Sequence, residues 1–122
     1  MPNSFLKDDC FQIATMHCYC IEFHFEGRRR GFYTSQLIEH TLEPNPDAHE
    51  DDGSRTPTPP ERLTLAFSTA DVVVLGWRLT RIADYLRDNK LAALGILPKR
   101  YADFDRAKPF VTSITITPIA KQ

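Results

Sequence analysis

The chain has 122 residues, 42% hydrophobic and 25% charged, with 15 basic side chains against 16 acidic ones and a net charge of −1. Those values suit one globular domain, residues 1–122, and argue against binding to a polyanion through bulk charge. No apolar run approaches membrane-spanning length, the longest near-continuous one being Leu91 to Leu97.

Met1 to Asp9 lacks the basic start and apolar core of a secretory signal. Cys10, Cys18 and Cys20 are the only cysteines, an odd number crowded at one end. Together these features predict reduced thiols and a cytoplasmic location.

Cys10 to Phe25 is apolar and β-prone, and its last part alternates. Tyr19, Ile21, Phe23 and Phe25 fall on one face, with Cys18, Cys20, Glu22 and His24 on the other. Glu26 to Gly31 supplies a turn with a glycine at each shoulder, and Phe32 to Leu42 resumes as a second strand, giving a long hairpin.

Residues 44–61 hold five of the nine prolines and five acidic side chains. Apart from proline, no apolar residue there is larger than Ala48, so the stretch buries too little surface to offset the entropy of ordering it. Neither flank alone makes a full core. The segment therefore reads as a surface loop inside one domain, joining two hairpins.

Arg62 to Phe67 alternates, with Leu63, Leu65 and Phe67 on one face, and Val72 to Leu75 is a continuous apolar run suited to a central strand. The period changes at Gly76. Leu75, Leu79, Ile82 and Leu86, with Ala83 beside them, form a stripe at helical spacing, predicting a helix over Trp77 to Lys90. Asn89 suits a left-handed cap, and Lys90 suits the negative helix end.

Leu91 to Leu97 fits either a helix extension or a short strand, with Gly95 and Pro98 favouring strand or irregular structure. Lys99 to Pro109 reads as a loop. Phe110 to Thr117 alternates as a final strand stopped by Pro118, with outward threonines typical of a solvated sheet face. The expected fold is α+β: one antiparallel sheet of five to six strands with one amphipathic helix packed on one face, in the order β-β-loop-β-β-α-β-β.

Charge is distributed unevenly. Residues 1–43 carry 4 basic and 6 acidic side chains, residues 44–61 carry 1 and 5, and residues 62–122 carry 10 and 5. A basic C-terminal block beside an acidic loop fits an anionic partner held off by the loop, or mutual neutralisation of solvated faces.

Arg28, Arg29 and Arg30 offer guanidinium forks to a phosphate, yet no Gly-rich phosphate loop accompanies them; a charged turn protecting an edge is the plainer reading. Trp77 and Arg81, four apart on the predicted helix, would make a cation–π pair and a partner anchor if they face outward. The alternative places Trp77 before the first turn, folded back over the sheet.

Cys18, Cys20 and His24 share strand parity, along with Cys10 and Glu22, and are zinc-ligand types. Residues two apart on a strand lie roughly 7 Å apart, and no second ligand pair follows, so metal binding is a weak candidate and no cofactor is expected. An extended backbone also disfavours a Cys18–Cys20 disulfide.

His24 and His40, with Glu22 and Glu39, would face each other across the first hairpin. Such pairs are common on solvated sheets, and no Ser in the chain has a nucleophile context, so no catalytic residue is assigned. Tyr101, Asp103, Phe104, Asp105 and Arg106 form a polar-aromatic loop that would line a pocket or simply connect.

Two readings follow. One is a non-enzymatic interaction module whose partner is another protein or itself, meeting through a sheet edge or the Trp77 side of the helix. The other is a binder of an anionic ligand or nucleic acid through Arg28 to Arg30 and the basic block. Against nucleic acid stand the slightly negative net charge and the absence of interleaved aromatic and basic residues.

Overall fold

The alternation of Ile21, Phe23 and Phe25 buries every second side chain, and β5 and β6 repeat that pattern, building a core covered by sheets on two sides. A computed structural model describes residues 10–47, 58–96 and 108–119. In chain order the elements are β1 (Phe11–Ile13), β2 (Cys20–Phe25), β3 (Arg28–Tyr33), a 3-10 turn (Thr34–Gln36), β4 (Leu37–Pro44), β5 (Glu61–Phe67), β6 (Ala70–Trp77), α1 (Thr80–Arg87), β7 (Leu91–Gly95) and β8 (Phe110–Pro118).

The α+β class holds, with mostly sheet and one helix among the described residues, but the single sheet of five to six strands does not. There are two four-stranded sheets, ordered β1-β7-β2-β3 and β4-β5-β6-β8. The second is antiparallel throughout; the first is mixed, because β7 runs parallel to β2.

The split occurs inside the segment expected to be one strand from Phe32 to Leu42. β3 ends at Tyr33, the 3-10 turn carries the chain across, and β4 begins at Leu37 in the other sheet. No glycine or proline marks the crossing. Upstream, the hairpin turn is shorter than expected. Glu26 and Gly27 both have positive φ, 51° and 71°, matching the two-residue turn whose twist follows its strands. Arg28 to Arg30 consequently lie in β3 itself, and Gly31 is a strand residue rather than a shoulder.

The sheets meet through aromatic rings. Phe67 of β5 stacks on Phe32 of β3 at 4.6 Å and meets Phe23 of β2 edge-on at 6.3 Å. Leu63, Leu65, Val72 and Val74 from one sheet and Ile21, Phe23, Leu91 and Leu94 from the other are almost fully buried in the same cluster. Each such side chain contributes roughly 1.5–3 kcal/mol by leaving water.

Because the sheets cover each other, the helix is not their lid. α1 packs instead against β4 of one sheet and β7 of the other. It is also shorter than its apolar stripe suggests, starting at Thr80 rather than Trp77. Arg78 adopts a positive φ of 57°, which turns the chain between β6 and α1 and leaves Trp77 as the last residue of β6.

Leu79, Ile82 and Leu86 are buried as the stripe predicts. At the C-terminal end Asn89 takes the left-handed cap, φ 57°, with Asn89 N–H donating to the Leu86 carbonyl and Lys90 N–H to that of Tyr85. The ambiguous segment from Leu91 resolves as strand β7.

The proline-rich segment closes one hairpin, β4–β5, rather than linking two. Its ends are built in: Asn45 is only 5% exposed, donates from Nδ2 to the Pro59 carbonyl at 2.8 Å and from its backbone N–H to the Pro60 carbonyl at 2.9 Å. Glu61, at the far end, accepts the Leu79 N–H at 2.7 Å, fastening this hairpin to the helix start. The Tyr101 to Arg106 loop lies outside the described residues, as do Lys99, Arg100 and Lys121 of the basic C-terminal block.

Candidate interaction edge

Strand parity decides what each candidate side chain faces. On β2, Cys20, Glu22 and His24 point away from the core, opposite the buried Ile21, Phe23 and Phe25. In register with them on β3 are Tyr33, Gly31 and Arg29. The outer face of the first sheet therefore carries a short polar row: His24 Nε2 lies 3.3 Å from Glu22 Oε1, and Arg29 Nε lies 3.8 Å from Glu22 Oε2. Gly31 is small for a local reason, since a Cβ there would sit 2.9 Å from Cys20 Sγ.

That row has little reactive chemistry. Burial first, then repulsion from the neighbouring Glu22 carboxylate and the adjacent Cys18 sulfur, push the Cys20 thiol above its ordinary value, while a hydrogen bond from the Phe32 backbone pulls the other way. A raised value keeps the sulfur protonated and weakly nucleophilic. Cys18 is buried and donates from Sγ to the Cys20 carbonyl at 2.8 Å. Among the described residues, no three His, Cys, Asp or Glu side chains gather as a metal site requires, and no cysteine forms a disulfide.

His24 and His40 do not face each other. His24 lies opposite Arg29, whereas His40 is on β4 in the other sheet, in register with the inward Leu65. The crossing at Thr34–Gln36 separates them.

The three arginines diverge. Arg29 shares the outer face with His24, and Arg28 and Arg30 have the opposite parity. Arg28 lies 5.7 Å from the Phe25 ring centroid and Arg30 5.3 Å from that of Phe32, so their stems shield the rim of the core. Arg28 also reaches Glu26 at 3.5 Å. The triplet protects an edge more than it forms a single grip.

Trp77 packs on Phe110 of β8, ring centroids 5.9 Å apart, and is half-buried. It is folded back over the sheet, and the positive φ at Arg78 removes the helical spacing that would set Arg81 against it. Arg81 is exposed on α1.

The four sheet edges differ sharply. Among the described residues these are β1, β3, β4 and β8. An unpaired edge displays N–H and C=O groups that other strands can use, and folded proteins usually blunt such edges with charge, proline, bulges, shortness or a covering element. β1 has three residues and a register shift. β3 carries Arg28, Arg29 and Arg30. β4 carries Glu39 and Glu43, has a register shift between Leu37 and Glu39, and is packed by α1.

β8 is the exception. It runs nine residues, Phe110 to Pro118, without one charge; a register shift that skips Thr112 near its start and Pro118 at its end are its only interruptions. Its start is firmly held. Cys10 Sγ donates to the Pro109 carbonyl at 3.4 Å, Arg78 Nε to the Lys108 carbonyl at 2.6 Å, and Thr112 Oγ1 to the Leu75 carbonyl at 3.1 Å.

The β6–β8 junction is equally close. Gly76 sits at a register shift where a Cβ would come within 2.1 Å of the Phe110 carbonyl oxygen. Beyond it Thr115, Thr117 and Pro118 are exposed.

No protein-family model, curated protein or solved structure gives a significant match to this chain. Function then follows from its own surfaces. The strand at residues 110–117 is visible in the sequence, as is its lack of charge; its place at a sheet edge is not, because edge position depends on which strands pair elsewhere.

Proposed function

We propose that the chain is a single-domain, non-enzymatic interaction module that accepts an additional β-strand along the open edge of β8. One observation carries the reading: β8 is the longest described edge strand, nine residues without a charge, whereas β3 and β4 carry charged side chains and β1 has only three residues. Strand addition draws affinity from main-chain hydrogen bonds and selectivity from alternate side chains. Here the outward threonines and the inward Ile114 and Ile116 supply that alternation.

A cytoplasmic setting fits the three cysteines, none of which forms a disulfide. Binding of an anionic ligand gains less support, since Arg28 to Arg30 divide between two faces.

A fluorescent, end-blocked peptide of the β8 sequence, residues 110–118, tests the reading by anisotropy against the intact protein. Saturable binding that is lost in the Thr115→Lys variant is expected. Absence of binding by a chain that light scattering shows to be monomeric, or binding unchanged by that substitution, contradicts the edge as the working surface.

A further inference from the structure

We infer that the strand added at β8 is β8 of a second copy of this chain, running antiparallel about a two-fold axis at Thr115. This rests on the reading of β8 as a strand-accepting edge and names its partner.

The first support is the residue pattern. An isologous interface needs a patch complementary to itself. Around Thr115, β8 reads nearly the same in both directions: Ile114 and Ile116 flank it, then Ser113 and Thr117. Antiparallel pairing about that residue sets Ile114 against Ile116 on the core side. It sets Thr115 against Thr115 and Ser113 against Thr117 on the outer side. Each pair is apolar with apolar or hydroxyl with hydroxyl, combinations that stabilise neighbouring strands. The parity is fixed within the sheet, where Ile114 and Ile116 lie in register with the buried Val74 and Val72, and Thr115 with Val73.

The second support is charge. Two copies meeting at β8 oppose no like charges within the strand. Two copies meeting at β3 would bring three arginines toward three, and meeting at β4 would bring Glu39 and Glu43 toward their equivalents. Like charges placed opposite disfavour those pairings, so the two-fold contact is steered to β8. Joining there turns the sheet β4-β5-β6-β8 into a continuous sheet of twice its four strands, leaving the charged β4 at both outer ends.

The third is the closed geometry. A two-fold pairing uses up the one permissive edge among the described strands of each copy and stops at a dimer, whereas heterologous contacts between different edges propagate.

Site-directed cross-linking with light scattering tests this. Opposed residues in an antiparallel pair have Cα atoms about 4.5–5.5 Å apart, within disulfide range. The Thr115→Cys variant, mildly oxidised, is expected to give a covalent dimer that the wild-type chain does not give. Ser113→Cys and Thr117→Cys are expected to cross-link efficiently only when mixed. Thr115→Lys, an exposed position, is expected to weaken the dimer about tenfold or more while leaving the circular dichroism spectrum unchanged; Thr117→Lys repeats the test if the first variant unfolds.

A dimer that ignores both lysine substitutions overturns the inference, as does efficient cross-linking of Ser113→Cys with itself. A strict monomer that still binds the β8 peptide overturns the second copy as partner but leaves the strand-accepting edge. A monomer that binds no peptide removes both.

Discussion

β3 and β8 are both edge strands, of six and nine residues, and both border the same core. They present opposite chemistry. β3 opens with three arginines, two of which drape over Phe25 and Phe32, so its free backbone groups sit behind a screen of charge and solvated stems. β8 offers alternating isoleucine and threonine with nothing to repel a partner. Under the proposed function, charge placed on one edge and withheld from the other is what would direct association to β8.

The contrast can be broken most drastically from beneath. Phe67→Ala removes the ring that bridges the sheets and is expected to destabilise the protein by about 4 kcal/mol, read as a lower urea midpoint with the slope unchanged. Next comes Gly76→Ala, which forces a methyl against the Phe110 carbonyl at the β6–β8 junction. About 3 kcal/mol is expected, together with loss of β8 peptide binding, because the edge is no longer presented.

A third change turns β3 into a second β8. Replacing Arg28, Arg29 and Arg30 together by threonine is expected to alter stability by less than about 1 kcal/mol. It should create concentration-dependent association beyond the dimer, visible as a rising scattering mass. If the triple variant stays as monodisperse as the wild type, the arginines are not what protects that edge.

The smallest effect concerns the outer face beside β3. Burial and the Glu22 charge hold the Cys20 proton, so alkylation at pH 8 is expected to be slower in the folded protein than in urea. The folded value lies above the unfolded one, so the attendant stability is full below the unfolded thiol value and is lost as pH rises through the folded value. Glu22→Gln should speed alkylation.

Much of this fold is legible from residue order. Ile21, Phe23 and Phe25 face inward although Tyr19, expected with them, is exposed; Leu79, Ile82 and Leu86 are buried although Leu75, expected on their stripe, lies in β6; these, with the set Leu63, Leu65 and Phe67 and the cap at Asn89, follow from period and backbone preference. What escapes is whatever depends on pairing at a distance. Tyr33 to Leu37 contains neither glycine nor proline, so the passage between sheets leaves no local mark. Trp77 opens the predicted helix on paper, yet Arg78 turns the chain after it.

The site divides the same way. The lack of charge in residues 110–118 is a sequence property, but its meaning appears only once β8 has a neighbour on one side. Likewise His24 and His40 lie close along the chain, but the crossing at Thr34–Gln36 puts them in different sheets.

The most direct measurement is the mass of the intact protein in solution, by light scattering across a concentration series, for the wild type and Thr115→Lys side by side. The account predicts a wild-type dimer and a variant that dissociates at concentrations where the wild type does not, with both equally folded. A wild-type monomer at every concentration, or a dimer indifferent to the lysine, contradicts it.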